Sequence, residues 1–462
     1  NFQAYSYRAR AKNVLGKSEE AISDATKSLM IKENYDAFYA RGFAYKNINK
    51  NPEANDDFEK ALKIEPKDTN SLYLRATIKY SLNDLKGSIS DLSKIIEINP
   101  QYPDAFYSRG YAYNELKDYK NALLDFSKAI EINPKDIRAL LYRGIVFMES
   151  EDPKNALSDF SEVIEIDPNN FFAYYHRGKA KHALEDYENA LIDFSQAIEI
   201  EPKDALAYSW RGYSNTDLGN YKDAIDDYSK AIEIDPQDSY SLSRRGSLKI
   251  RLEDYEGSIK DFSSAIEINA MDDYSYSFRG YSNYQLGNYE NAILDYSSAI
   301  QINPEYAFNF FYRGRSKFEL ADFKSANDDF SQAIKIDPED AGQYFFRGYS
   351  NTFLKNYRNA ITDLSKAIEI NPIYIHYEKR IYAYLFKGDI KKASRDIKII
   401  EDLNPKDNSF QENYFYELKG HFEFANKNFD ESKNYLLKAL SYDPNKYSVL
   451  RSISYVEYQK GN

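Results

Sequence analysis

Residues 106–134 read FYSRGYAYNELKDYKNALLDFSKAIEINP. Apolar residues recur here in two short runs at the 3.6-residue spacing of helices, not at the alternation of strands. Between the runs stands Asp118, whose side-chain oxygen can accept from the free amides of a starting helix. Behind the second run stands Pro134, which cannot continue a helical hydrogen-bond ladder. The stretch predicts a helical hairpin. A glycine inside a helix costs about 1 kcal/mol against alanine, so Gly110 asks for close approach of two backbones, which Ala122 and Ala129 on the second helix also permit.

The hairpin recurs. Proline returns at Pro66, Pro100, Pro134, Pro168, Pro202 and Pro236 and, after Ala270 takes one turn, at Pro304, Pro338 and Pro372, always 34 residues apart. Glycine keeps the same register from Gly42 to Gly348, and Asp186, Asn220, Asp254, Asn288 and Asn356 take the capping position of Asp118. A 34-residue helix-turn-helix with Phe106, Gly110, Tyr113, Ala122, Phe126, Ala129 and Pro134 at these offsets resembles the tetratricopeptide repeat. The resemblance covers nearly the whole chain and implies an all-α fold: a right-handed superhelix, an α-solenoid of antiparallel helix pairs with about 13 repeats. The register divides the chain into a divergent first repeat at 1–34, ten regular repeats at 35–374, and a shortened one at 375–407. A short insert with a divergent repeat follows at 408–446, and the first helix of a truncated repeat at 447–462. The start at Asn1 and the stop at Gly461-Asn462, where a turn between helices belongs, suggest a piece of a longer protein.

Composition narrows the partners. Among 462 residues, 61 Lys and Arg against 73 Asp and Glu leave a net charge of −12, which repels nucleic acid and anionic membrane. No apolar run reaches the roughly 18 residues of a membrane span, so membrane insertion is not expected. The absence of cysteine removes disulfides, thiolate metal sites and cysteine nucleophiles. It fits a reducing or an oxidising compartment, with the cytoplasm favoured over export. Homo-oligomerisation is not indicated.

A second pattern runs through the repeats. Arg41, Arg75, Arg109, Arg143, Arg177, Arg211, Arg245, Arg279, Arg313 and Arg347 are each followed sixteen residues later by an aspartate, as Asp125 follows Arg109, Asp227 follows Arg211 and Asp329 follows Arg313. Arg8 with Asp24 and Arg380 with Asp396 keep the spacing, and where Lys419 replaces the arginine, Tyr435 replaces the aspartate. The two vary together, as an ion pair between the two helices of a repeat would. Partly exposed, such a pair contributes about 0–1 kcal/mol. A longer period overlies it: Arg-Gly-Tyr-Ser-Asn occurs at 211–215, 279–283 and 347–351, while the repeats between carry Lys181, Lys249 and Lys317 at the position of those asparagines.

No catalytic constellation stands out. Residues 11–18, Ala-Lys-Asn-Val-Leu-Gly-Lys-Ser, satisfy a loose phosphate-loop pattern but fall on a helix and its turn, without the preceding strand that the motif needs. His176 and His182 lie on different sides of one helix, His376 and His421 stand alone, and no metal or other cofactor is expected.

Function then rests on a surface. In the family that the repeats resemble, the inner face of the superhelix is lined by the first helix of each hairpin. Its positions 2, 6, 9 and 13 share a face. They bring forward Phe172, Lys179, Trp210 and Tyr213, then Tyr240, Arg244 and Arg251, then Tyr274, Phe278 and Tyr281, then Phe308, Tyr312 and Arg315, and last Phe346 and Tyr349. These positions lie outside the packing signature. Tyr, Trp and Arg are enriched at binding hot spots, although packing between neighbouring helices or a composition rich in Tyr and Phe would also supply them. Four cations against two carboxylates, Asp217 and Glu319, leave the stripe at +2 inside an acidic chain. The reading is a protein- or peptide-binding scaffold, without enzymatic activity, that holds an extended or helical, acidic and partly aromatic segment. The alternatives are a regulatory or substrate-recruiting arm of an enzyme and, third, carbohydrate binding on the aromatic groove. The stripe lacks the lysine-and-asparagine set of chaperone-tail clamps, since Tyr39, Tyr73 and Tyr107 occupy one of its lysine positions, and it lacks an inner asparagine ladder.

Overall fold

The structure, a computed structural model, describes residues 1–403 and 412–461; most of the expected insert at 408–412 lies outside the described residues. The described residues hold 27 α-helices, from Phe2–Val14 to Tyr447–Lys460, and no strand. Two compact units divide them, Asn1–Asp235 with seven helix pairs and Pro236–Asn462 with six pairs and a last unpaired helix. Within each unit every helix packs on the next in chain order, and each first helix (A) of a pair also touches the next A helix.

From Tyr35 to Ile370 an A helix of 13 residues alternates with a B helix of 14. Short helices are marginal in isolation, so their ends and their packing must hold them. A helices are capped where an aspartate stands two places beyond the proline position: Asp68, Asp136, Asp204, Asp238, Asp272 (after Ala270) and Asp340 each accept from a backbone amide of the first turn, whereas Tyr102 and Tyr306 at that place make no cap bond. Asp118 and Asp254 cap their B helices as the sequence predicts. Asp186, Asn220, Asn288 and Asn356 stand at the same position without a side-chain cap bond. The expectation of capping is corrected there: Asp186 accepts instead from Asn189 Nδ2, and Asn220 Nδ2 turns back toward Asn215 Oδ1 at 3.4 Å. Asp204→Ala should therefore remove about 1 kcal/mol of local stability and Asn220→Ala much less, read from hydrogen exchange in the helices Ala205–Asp217 and Tyr221–Ile234.

Most glycines of the A helices face the B-helix aromatic; Gly348 faces Leu364 and Gly420 faces Leu436 at the same place. A Cβ on Gly110 would lie 3.1 Å from Phe126 Cε1, and one on Gly144 would lie 2.6 Å from Phe160 Cε1. These rings, with Phe58, Phe194, Tyr228, Phe262, Tyr296 and Phe330, are the largest fully buried side chains of the core.

The arginines do more than pair. Arg143 donates from Nε and Nη2 to Asp159 at 2.8 and 2.6 Å and from Nη1 to Ser127 on the preceding B helix at 3.1 Å. Arg109 joins Asp125 and Ser93, Arg211 joins Asp227 and Ser195, and Arg313 joins Asp329 and Ser297 in the same way. One guanidinium thus ties three helices. The aspartates are buried throughout and the arginines are half-buried, apart from the exposed Arg8. The expectation of a partly exposed pair is corrected: the carboxylate has left water. The 68-residue period acquires a cause at the same place. Lys181, Lys249 and Lys317 reach the second oxygen of Asp193, Asp261 and Asp329 at 2.7–2.8 Å. In the alternate repeats Asn215, Asn283 and Asn351 donate to Asp227, Asp295 and Asp363 at 3.0–3.3 Å. Both side chains satisfy one lone pair, by charge or by amide.

Candidate partner-binding groove

The A-helix stripe is built differently in the two units. In the first, the helix Phe171–Ala183 presents Phe172, 60% exposed, at its start. Two turns on, Lys179 Nζ lies 5.0 Å from the centre of the Trp210 ring and 5.6 Å from that of Tyr175. Trp210 stacks on the buried Phe194 and has Tyr213 at 5.8 Å. His182 wedges between them, 4.5 Å from the Tyr213 ring and 5.6 Å from that of Trp210, with Nδ1 3.1 Å from Ser214 Oγ and Nε2 3.5 Å from Asp217. His176, stacked on Phe160, is pushed down to about 4 by burial and stays neutral at neutral pH.

In the second unit the stripe is an unbroken run of ring contacts. Arg244 lies over Tyr240 at 4.9 Å and Tyr274 at 5.5 Å, and Tyr274 meets Phe278 at 4.5 Å. Phe278 touches Phe308, which meets Tyr312 at 4.4 Å, and Tyr281 is edge-on to Tyr312. Arg315 sits among four rings, with Tyr284 and Phe346 at 4.8 Å, Tyr312 at 5.4 Å and Phe311 at 5.9 Å. Tyr349 rests against Phe318 at 5.2 Å, and Arg251 is exposed at the end of its helix.

Part of the stripe is thus packing between neighbouring A helices. Two cations are not accounted for by it. Among the described residues neither Lys179 nor Arg315 makes an ion pair with a carboxylate, and Arg315 Nε is buried without a hydrogen-bond partner. Burial on aromatic faces pushes the Lys179 ammonium down.

The sequence missed His182, Tyr284 and Phe318, which share one position of the repeat and fill the gaps between successive A helices. The signal was present: that position lies three residues after Lys179 or Arg315, on the same helical face. Outside the groove, the described residues contain no cluster of three or more metal-ligating side chains, and none of their helices is long and apolar enough to cross a membrane.

Stacked hairpins of 34 residues, tied helix to helix, define an α-helical repeat array of the solenoid class. Family models of the tetratricopeptide repeat match residues 35–68, 103–136, 173–204, 205–238, 244–307, 344–374 and 414–446, more than half of the chain, and the chain belongs to that family. No curated protein matches it. Among solved structures, the APC/C hetero-tetramer Cut9–Hcn1 is similar over 97% of this chain and 95% of its own, with 12% identity and a TM-score of 0.43. YrrB, described as a TPR protein with an unusual peptide-binding site, is 25% identical over 40% of this chain and 95% of its own, with a TM-score of 0.37. A tetratricopeptide repeat protein from Parabacteroides merdae is 19% identical over 55% of this chain and 98% of its own, with a TM-score of 0.41. Arrays of this family are protein-interaction scaffolds, generally without catalysis, and the repeats place the chain in that class.

Proposed function

We propose that the A-helix face holds an extended or helical segment of a protein partner that carries carboxylates beside aromatic or apolar anchors. The observation that carries this reading is the state of Lys179 and Arg315, cations seated on rings without a counter-ion. A charge held away from water gains more from an incoming carboxylate than a solvated one does. Phe172 and Leu206, in the first unit, are exposed apolar groups that such a segment would cover there.

The chain's single tryptophan reports on this face, because Trp210 is the ring beneath Lys179. Peptides with Asp or Glu next to Phe or Leu are expected to shift Trp210 emission, with binding that weakens as salt rises. Lys179→Glu should weaken them at least ten-fold, and peptides with Gln in place of Glu should bind neither protein well. Equal binding of acidic and neutral peptides, or of the wild-type and Lys179→Glu chains, would refute the reading.

A further inference from the structure

In the second unit a cavity of about 550 Å³ opens among the helices Ala341–Phe353, Tyr374–Lys387 and Glu412–Ala425 and the start of Tyr447–Lys460. Its wall carries charge that the array does not need for register. Glu378 and Glu417, only 7% and 8% exposed, belong to none of the recurrent arginine–aspartate pairs. Lys379 Nζ donates to Glu378 at 3.1 Å, while Glu417 has Lys446 Nζ at 2.7 Å and accepts from Ser448 Oγ at 3.0 Å. Both lysines lie on aromatic faces, Lys379 at 5.1 Å from Tyr349 and 5.9 Å from Tyr382, and Lys446 at 3.8 Å from Tyr414. The further charged residue of the lining, Lys355, is exposed.

Two features point to a ligand. A carboxylate has room for about four hydrogen bonds, yet among the described residues the donor to buried Glu378 is its own chain neighbour. Burial pushes its carboxyl up accordingly. Two buried ion pairs also cost desolvation that apolar side chains would avoid, so lining a cavity with them calls for a use. The two pairs sum to zero charge with the signs side by side, so a lone anion or a lone cation would leave one sign of the wall unmatched. The volume lies in the usual range of small-molecule sites, about 300–1,000 Å³.

We infer that this cavity binds a small zwitterion with an aromatic group, an amino acid or a short peptide with both termini free. Its ammonium meets Glu378, its carboxylate meets Lys379, and its ring lies against Phe353 and Tyr414. The site shares only Tyr349 with the groove residues and stands or falls apart from it.

Calorimetry on the whole chain tests this with phenylalanine and alanyl-phenylalanine, the two sources of one chemistry. N-acetyl-phenylalanine and phenylalanine amide each lack one charge. At least one zwitterion is expected to bind, with both blocked analogues at least ten-fold weaker. Glu378→Gln should lose at least ten-fold, and Lys179→Glu, in the other unit, should bind as the wild type does. If Glu378→Gln fails to give a folded circular dichroism spectrum, Phe353→Leu, at a half-exposed ring, should remove the preference for phenylalanine over alanine. Silence toward both zwitterions, equal binding of the blocked analogues, or unchanged binding by the folded variants overturns the proposal.

Discussion

Replacing Arg143 with alanine should cost the array about 3 kcal/mol or more at neutral pH, the penalty for a buried charge that has lost its partner. Asp159 is 3% exposed, and the guanidinium supplies both of its charge-assisted hydrogen bonds. Its carboxyl is already raised, first by desolvation and against the pull of Arg143. A carboxyl raised in the folded state binds its proton more tightly there than in the unfolded chain. Protonation therefore favours the fold, and stability falls as pH rises through the folded value. Without Arg143 the rise is larger, so the deficit of Arg143→Ala should be greatest at neutral pH and shrink toward pH 4. Asp57, Asp125 and Asp227 are raised in the same sense. Asp24, which has both Arg8 and Lys12, is lowered to about 2, the hydrogen bond from Arg8 leading. Its contribution has the opposite sign: present above its unfolded value near 3.8, and lost as pH falls toward 2. A long array need not unfold in two states, so the measurement is hydrogen-exchange protection in the helices Ile137–Glu149 and Pro153–Ile166 as a function of pH. Arg143→Leu combined with Asp159→Leu should recover most of the loss. If Arg143→Ala costs under about 1 kcal/mol at every pH, the pair behaves as a solvated surface bridge.

What the sequence yielded follows from what repetition can show. A 34-residue register exposes any position that the fold constrains in every repeat, so the hairpins, the glycines and the joint variation of Lys419 and Tyr435 were legible. Lys419 now lies over the Tyr435 ring at 5.2 Å and pairs with Glu401. The third arm of the network was equally periodic. Ser93, Ser127, Ser161 and Ser195 each stand sixteen residues before the arginine they bind. A serine on a helix has several ordinary readings, and only geometry selects one. Burial of the aspartates was not legible, because a charged pair reads the same in or out of water. Whether a ring is an anchor or a spacer was also hidden: Phe172 and Phe278 occupy positions of the same stripe, and one is 60% exposed while the other is half-buried between Tyr274 and Phe308. The Glu378 cavity lies where the strict register ends, so repetition gave no warning of it.

The second large effect concerns Gly144. An added Cβ there would sit 2.6 and 2.8 Å from Cε1 and Cζ of Phe160, closer than packed carbon atoms approach. Phe160 cannot move away cheaply: it is fully buried in a cluster with Ala156 and Ala180 and stacks on His176. Overpacking of this kind costs about 1–3 kcal/mol, while alanine gains about 1 kcal/mol over glycine in helix propensity. Gly144→Ala should therefore lose up to about 2 kcal/mol net, and Gly144→Val more. At Gly212 the nearest atoms would be Tyr228 Cε1 at 3.2 Å and Ala224 O at 3.3 Å, so a shift of a few tenths of an ångström suffices although Tyr228 is equally buried. There the propensity gain offsets the crowding, and Gly212→Ala should be close to neutral. Local hydrogen exchange would separate the two. In a solenoid each repeat contacts only its neighbours, so protection lost to Gly144→Ala should be confined to its own hairpin and those adjoining, leaving the helix Phe2–Val14 unchanged. A Phe160→Leu background should lessen the penalty of Gly144→Ala by removing the atoms it strikes. Equal costs at Gly144 and Gly212 would mean that the glycines serve something other than the seat of the B-helix ring.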